Sequence, residues 1–139
     1  MELVKARWLQ YFRVVATATT NPNPADPKLL AYMTGPALGG FQGVLRQRVK
    51  DGIIVRYSNG SDRHVPRVLE VRGTQATISD CWEDRAVQVQ QGTGKVVNSQ
   101  ISTYLVHGTM VLEGSTWKTF SYQLVKTWNR TLEASRCVA

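Results

Sequence analysis

Two ionisable residues in the second half of the sequence could do acid–base chemistry. Asp80 lies between Ile78 and Trp82, and the alternation of a strand places these three side chains on one face. A carboxylate set among apolar groups can act as a general acid or base, and His107, in a later strand, is its candidate partner or a lone proton relay. The alternatives are a local hydrogen bond or solvent contact for Asp80 and a structural or surface role for His107.

The other reactive side chains give weaker signals. Cys81 needs a nearby base to act as a nucleophile, and none lies near it in the sequence. His64 falls in a turn-rich segment and is expected to be solvated. The two histidines and two cysteines are not spaced as zinc ligands are, so we expect no metal, and no motif indicates a cofactor.

Three helices are predicted ahead of the strands that carry these residues. Helical spacing predicts the first over residues 2–17, with apolar positions Val4, Trp8, Tyr11, Phe12 and Val15. Asp26 as the N-cap before Pro27 predicts a short helix over residues 27–34. A third helix is predicted over residues 36–50, because Gly52 can take the left-handed conformation that ends a helix.

Residues 53–128 have the β-branched content and turn signals of strands. Turns at Gly73 and at residues 113–115 predict two hairpins, and residues 129–139 form a C-terminal tail. The apolar face of each strand is expected to face the core, and in the last strand that face holds Phe120, Tyr122, Leu124 and Trp128. Helices followed by an antiparallel sheet predict one α+β domain over residues 1–139.

The composition limits the class of protein and of partner. With 139 residues, 42% hydrophobic and 19% charged, the chain is typical of a globular domain, not of a fibrous or disordered protein, and no apolar run is long enough to span a membrane. The net charge of +7 admits anionic partners. Much of it falls within residues 46–72, where helix-end and edge-strand chemistry accounts for it, and no nucleic-acid-binding motif is present.

The residues alone leave the compartment and the cysteines open. The N-terminus has no signal-peptide pattern, so we expect a cytoplasmic chain or a processed or truncated form. Cys81 and Cys137 are compatible with two unrelated thiols or with one disulfide.

Several segments together resemble a known superfamily. They are the order of three helices and a long final hairpin, Thr116-Trp117-Lys118, Thr34-Gly35-Pro36-Ala37-Leu38, and Ala76-Thr77-Ile78-Ser79-Asp80-Cys81 with a near-terminal cysteine. This pattern resembles the nuclear transport factor 2-like superfamily, which includes polyketide cyclase-like and ketosteroid isomerase-like proteins, and within it the largely uncharacterised secreted or lipid-anchored actinobacterial members.

The resemblance implies a curved sheet wrapped around helices, a cone-shaped α+β barrel with a pocket at its open end. It implies a Cys81–Cys137 disulfide, an extracellular or cell-envelope location for a processed chain, and a homodimer formed through the sheet. The residues expected at the pocket, beside Asp80 and His107, are Trp8, Tyr11, Trp82 and Tyr122.

These observations favour a non-enzymatic domain that binds a small apolar molecule or a protein partner. The alternative is a small cyclase, isomerase or dehydratase that uses Asp80 and His107. A third is an assembly module of secretion machinery, which exposed aromatic side chains on the last two strands would favour.

Overall fold

Helices at the N-terminus pack on antiparallel sheets in the computed structural model, which describes residues 1–138. The elements are α1 (Glu2–Thr20), a 3₁₀ helix (Pro27–Ala31), α2 (Gly35–Asp51), β1 (Ile53–Arg56), β2 (Arg63–Arg72), β3 (Gln75–Asp84), β4 (Val87–Gln90), β5 (Val96–Asn98), β6 (Ser102–Glu113), β7 (Thr116–Trp128) and α3 (Leu132–Ser135). The α+β class is therefore confirmed.

The helix ends follow local backbone chemistry. Helix α1 runs three residues further than predicted and stops at Thr20, because Pro22 disfavours helical backbone in Asn21. The Asp26 side chain caps the 3₁₀ helix by accepting from the Lys28 N–H at 3.0 Å. That helix is shorter than predicted, because Met33 already forms a parallel bridge with Thr119.

The strands form two sheets where a single one was expected. The larger sheet has the order β2-β3-β6-β7 and contains both predicted hairpins, while the smaller one has the order β1-β4-β5. The sheets are curved but open, so the cone-shaped barrel is not closed. Strand β7 lies at one edge of the larger sheet.

Two register shifts in β7 change which of its side chains face the core. The ladder between β6 and β7 is irregular between Thr109 and Met110 and again between Leu105 and Val106. Trp117 and Thr119, on the face predicted to point outward, are therefore buried, whereas Phe120 is exposed. The predicted apolar core face of β7 is wrong at this end of the strand.

The concave face of the larger sheet is filled by aromatic side chains of α1. Trp8 and Tyr11 are fully buried there, and Phe12 packs edge-on against both. A Cβ at Gly108 of β6 would lie 2.3 Å from the Trp8 ring, so only glycine leaves room for the indole. The face that the resemblance assigns to a pocket is part of the core.

Candidate functional site

Asp80 is a fully buried carboxylate with three hydrogen-bond partners. Its Oδ2 accepts from the indole N–H of Trp8 at 2.9 Å and lies 2.7 Å from Nδ1 of His64, while Oδ1 accepts from the Val65 N–H at 3.1 Å. A buried charge requires such partners. Asp80 thus orients the His64 ring and ties α1 to β2 and β3.

His107 does not reach Asp80. Asp80 pairs with Val106 across the β3–β6 ladder, and Ser79 pairs with His107, so the two ionisable side chains lie on opposite faces of the sheet. His107 is exposed on the outer face. The structure therefore places both predicted catalytic residues but does not bring them together.

The predicted solvation of His64 is wrong, since its side chain is only 10% exposed. Strand β2 begins at Arg63, so His64 is its second residue, and the register places His64 opposite Trp82. The imidazole stacks parallel to the Trp82 ring and contacts Phe12, with centroid distances of 5.9 Å and 4.4 Å. The hairpin turn at Gly73 is the sequence signal that could have found this pairing.

The structure brings two of the four residues predicted for one pocket together, since the ring centroids of Tyr11 and Tyr122 lie 6.4 Å apart. Trp8 and Tyr11 are core residues. Trp82 is partly buried, and its indole N–H donates to Asp62 at 3.0 Å. Tyr122 is 41% exposed on β7.

A pocket of about 610 Å³ lies beside His64, between α1 and the segment that joins β1 to β2. We call it the α1 pocket; its lining residues are Leu9, Phe12, Arg13, Ala16, Thr17, Tyr57, Ser61, Asp62 and His64. No motif in the sequence had indicated Arg13 or His64 as pocket residues.

A second groove, of about 340 Å³, runs between α2 and β7. We call it the β7 groove; its lining residues are Tyr11, Pro36, Ala37, Gly40, Phe41, Val44, Ser121, Tyr122 and Leu124. Along β7 the exposed fractions are 38% for Phe120, 41% for Tyr122, 51% for Leu124 and 48% for Val125. Exposed aromatic side chains thus stand on the last strand.

The C-terminal tail is held against the larger sheet by a covalent bond and an ion cluster. Cys81 and Cys137 form a disulfide, as the resemblance implied, with their Cα atoms 5.9 Å apart. The buried Glu83 accepts two bonds from Arg63, each of 2.8 Å, and one from the Leu132 N–H. The pKa of Glu83 is lowered to about 2, chiefly because Arg63 donates hydrogen bonds to its carboxylate.

Residues 1–138 contain neither a cluster of metal ligands nor a membrane-spanning helix. No three His, Cys, Asp or Glu side chains gather there as a metal ligand set would. None of the helices in this part of the chain has the length and apolar character needed to cross a bilayer.

The elements described above define an α+β domain, with helices packed on open, curved antiparallel sheets. The chain matches no family model. No curated protein matches it either. Its fold is similar to the crystal structure of the intermembrane space region of the chloroplast protein ARC6, with a TM-score of 0.63 and 15% identity over 87% of this chain and 90% of that chain. At this identity the likeness concerns the fold alone.

Proposed function

We propose that this chain is a single protein-interaction domain of the nuclear transport factor 2-like superfamily, which binds an extended segment of a partner protein along β7. The observation that carries the proposal is the run of exposed apolar side chains from Phe120 to Val125 on a strand at the edge of a sheet. Exposed apolar patches of this kind are typical of interaction sites. The backbone of an edge strand can pair with one further strand.

At the beginning of this edge, an extended segment of the chain itself already pairs with β7 through backbone hydrogen bonds. The Thr34 N–H donates to the Thr119 carbonyl at 3.0 Å, and the Thr119 N–H donates to the Tyr32 carbonyl at 2.9 Å. Past Phe120 no strand within residues 1–138 pairs with this side of β7. A partner segment added there would continue the extended line that residues 32–34 begin.

The distribution of charge selects the chemistry of that partner. Helix α2 and β7 run in the same direction, since Gly35 contacts Phe120 while Val44 and Leu124 line the groove further along. Beyond that point β7 carries an exposed lysine, Lys126, which has no ion-pair partner among residues 1–138 and lies over the Trp128 ring. The fitting partner is an extended segment with apolar residues at one end and acidic residues at the other.

The same charge disfavours a second copy of this chain as the occupant. In a symmetric dimer through β7 the two strands would run antiparallel, so Lys126 of each copy would lie toward the apolar start of its partner's strand and would meet no acidic residue there. The homodimer inferred from the resemblance is therefore an alternative that sedimentation must exclude.

An oxidising compartment suits this function. The Cys81–Cys137 disulfide persists in extracellular or periplasmic surroundings. The structural neighbour is named as a region of an intermembrane space, which agrees with a location outside a reducing cytosol.

The test is selection of twelve-residue peptides from a random displayed library on the folded, oxidised chain. We expect enrichment of sequences that alternate apolar residues and end in Asp or Glu. Gly40→Leu fills the β7 groove and should weaken binding of a selected peptide at least tenfold. Gly39→Leu is the matched control, because both glycines lie exposed on α2 with no atom within 4 Å of the point where a Cβ would lie, and only Gly40 lines the groove.

Charge reversal tests the acidic end of the partner. Lys126→Glu should weaken the selected peptide about tenfold at low salt, and Lys28→Glu, with the same change in net charge outside the groove, should change it less than twofold. The proposal is overturned if no peptide is enriched, if Gly40→Leu binds as well as Gly39→Leu, or if sedimentation shows a dimer that Gly40→Leu dissociates.

A further inference from the structure

The α1 pocket is separate from the β7 groove, and the two share no lining residue. We propose that the α1 pocket binds a small organic anion, a molecule with one acidic group on an apolar ring or chain. Its volume of about 610 Å³ lies within the range of small-molecule sites.

The lining divides into an apolar wall and a polar rim. Leu9, Phe12 and Ala16 come from successive turns of α1 and offer an apolar surface to a ring or chain. Arg13 comes from the same helix, and Asp62 and His64 come from the facing segment. A ligand that fits this lining is amphipathic.

The rim holds one cation and one carboxylate, Arg13 and Asp62, which differ in the contacts that they already make. Both oxygens of Asp62 are occupied, since one accepts from the Trp82 indole at 3.0 Å and the other from the Arg85 N–H at 2.7 Å. The exposed Arg13 guanidinium forms no ion pair within the described chain. Arg13 is thus the cation with which a ligand at the rim can pair, and guanidinium matches carboxylate, sulfonate or phosphate oxygens.

His64 is held in place in the lining of the α1 pocket. Its Nδ1 lies 2.7 Å from the buried Asp80, and its ring is packed between Phe12 and Trp82. A ring fixed at Nδ1 has one nitrogen left, Nε2, for a partner outside this network, and the ring is part of the pocket lining. The site therefore offers one fixed imidazole beside one exposed guanidinium.

The test compares two fluorescent probes with similar apolar bodies. 8-Anilinonaphthalene-1-sulfonate carries one anionic group, and N-phenyl-1-naphthylamine is its neutral counterpart. We expect Arg13→Gln to weaken binding of the sulfonate about tenfold and that of the neutral probe less than twofold. Equal loss of the two probes would overturn the choice of an anion, and absence of sulfonate binding to the wild-type chain would overturn the site.

A pair of variants on α1 locates the bound probe. Ala16→Trp fills the pocket and should abolish sulfonate binding, whereas Ala6→Trp, on an exposed position of the same helix outside the pocket, should leave it unchanged. The ¹⁵N chemical shift of His64 Nε2 should move when the sulfonate is added to the wild-type chain. An unmoved signal, or equal binding by the two tryptophan variants, would contradict the proposal. Gly40→Leu should bind the sulfonate normally, which keeps this test apart from that of the β7 groove.

Discussion

Gly108 decides whether the Trp8 indole can lie against the sheet and donate to Asp80. A methyl group there would stand 2.3 Å from the ring, so Gly108→Ala must displace a fully buried side chain. We expect a loss of about 1–3 kcal/mol in the free energy of unfolding, the usual cost of overpacking a core. Urea denaturation measures it.

Gly92→Ala is the control, because Gly92 lies in a turn with open space around it and no left-handed backbone. We expect its free energy of unfolding to stay within about 0.5 kcal/mol of wild type. If Gly108→Ala unfolds at the same urea concentration as Gly92→Ala, the indole does not occupy this position against the sheet.

Asp84 gives the fold a pH dependence of its own. Burial, with a smaller contribution from repulsion by Asp62, raises the pKa of Asp84 from 3.8 to about 6. Between these values the folded chain holds a proton that the unfolded chain has released, so this residue lowers stability as the pH rises through that window.

Asp84→Asn should remove this contribution. Relative to wild type, the variant should gain of the order of 1–3 kcal/mol in unfolding free energy between pH 4 and pH 7. Chemical denaturation at a series of pH values gives the difference. A difference that stays constant across the window would show that Asp84 does not hold its proton in the folded chain.

Among the elements, the C-terminal tail depends most on its covalent link. The Cys81–Cys137 bond closes a loop with a sequence separation of 56. The chain-entropy relation gives such a loop about 4 kcal/mol, which corresponds to a fall of roughly 10 °C in Tm on reduction. Circular dichroism melts with and without reductant measure this fall.

The double variant Cys81→Ser, Cys137→Ser separates the bond from other effects of the reductant. It should melt at the temperature of the reduced wild-type chain and should not respond to reductant. An unchanged wild-type melt together with two titratable thiols would contradict the pairing.

The elements that could be predicted from the sequence are those governed by local chemistry. Pro27 and Gly52 mark helix ends, and Gly73 marks a hairpin turn, because proline fixes its own φ and the two glycines take the left-handed backbone that each position requires. The face of β7 could not be predicted, since it depends on register shifts opposite Thr109 and Leu105 in another strand. The ends of the helices could thus be predicted from the sequence, whereas the buried face of β7 could not.

The candidate site was predicted in part for the same reason. Alternation correctly placed Asp80 with Ile78 on the inner face. The choice of His107 as its partner failed because it needed the pairing of β3 with β6, and this pairing sets His107 beside Ser79. His64 became the neighbour of Asp80 through the β2–β3 hairpin, whose turn was predicted but whose register was not used.

At the scale of the whole molecule, the β7 groove has an apolar end and a positively charged end. The apolar start of the β7 groove lies near Gly35 and Phe120, and the exposed Lys126 lies beyond Leu124. This arrangement is what gives the proposed partner segment a polarity, with its acidic end past Leu124. The α1 pocket, which shares no lining residue with the β7 groove, has its own cation, Arg13.

Amide hydrogen exchange with a selected peptide bound tests most directly whether β7 is the binding edge. Edge-strand amides that face solvent exchange faster than paired ones. If the peptide pairs with β7, exchange between Ser121 and Thr127 should slow at least tenfold, with little change at Tyr57–His64 beside the α1 pocket. Unchanged exchange in β7, or slowing confined to other elements, would contradict binding along this strand.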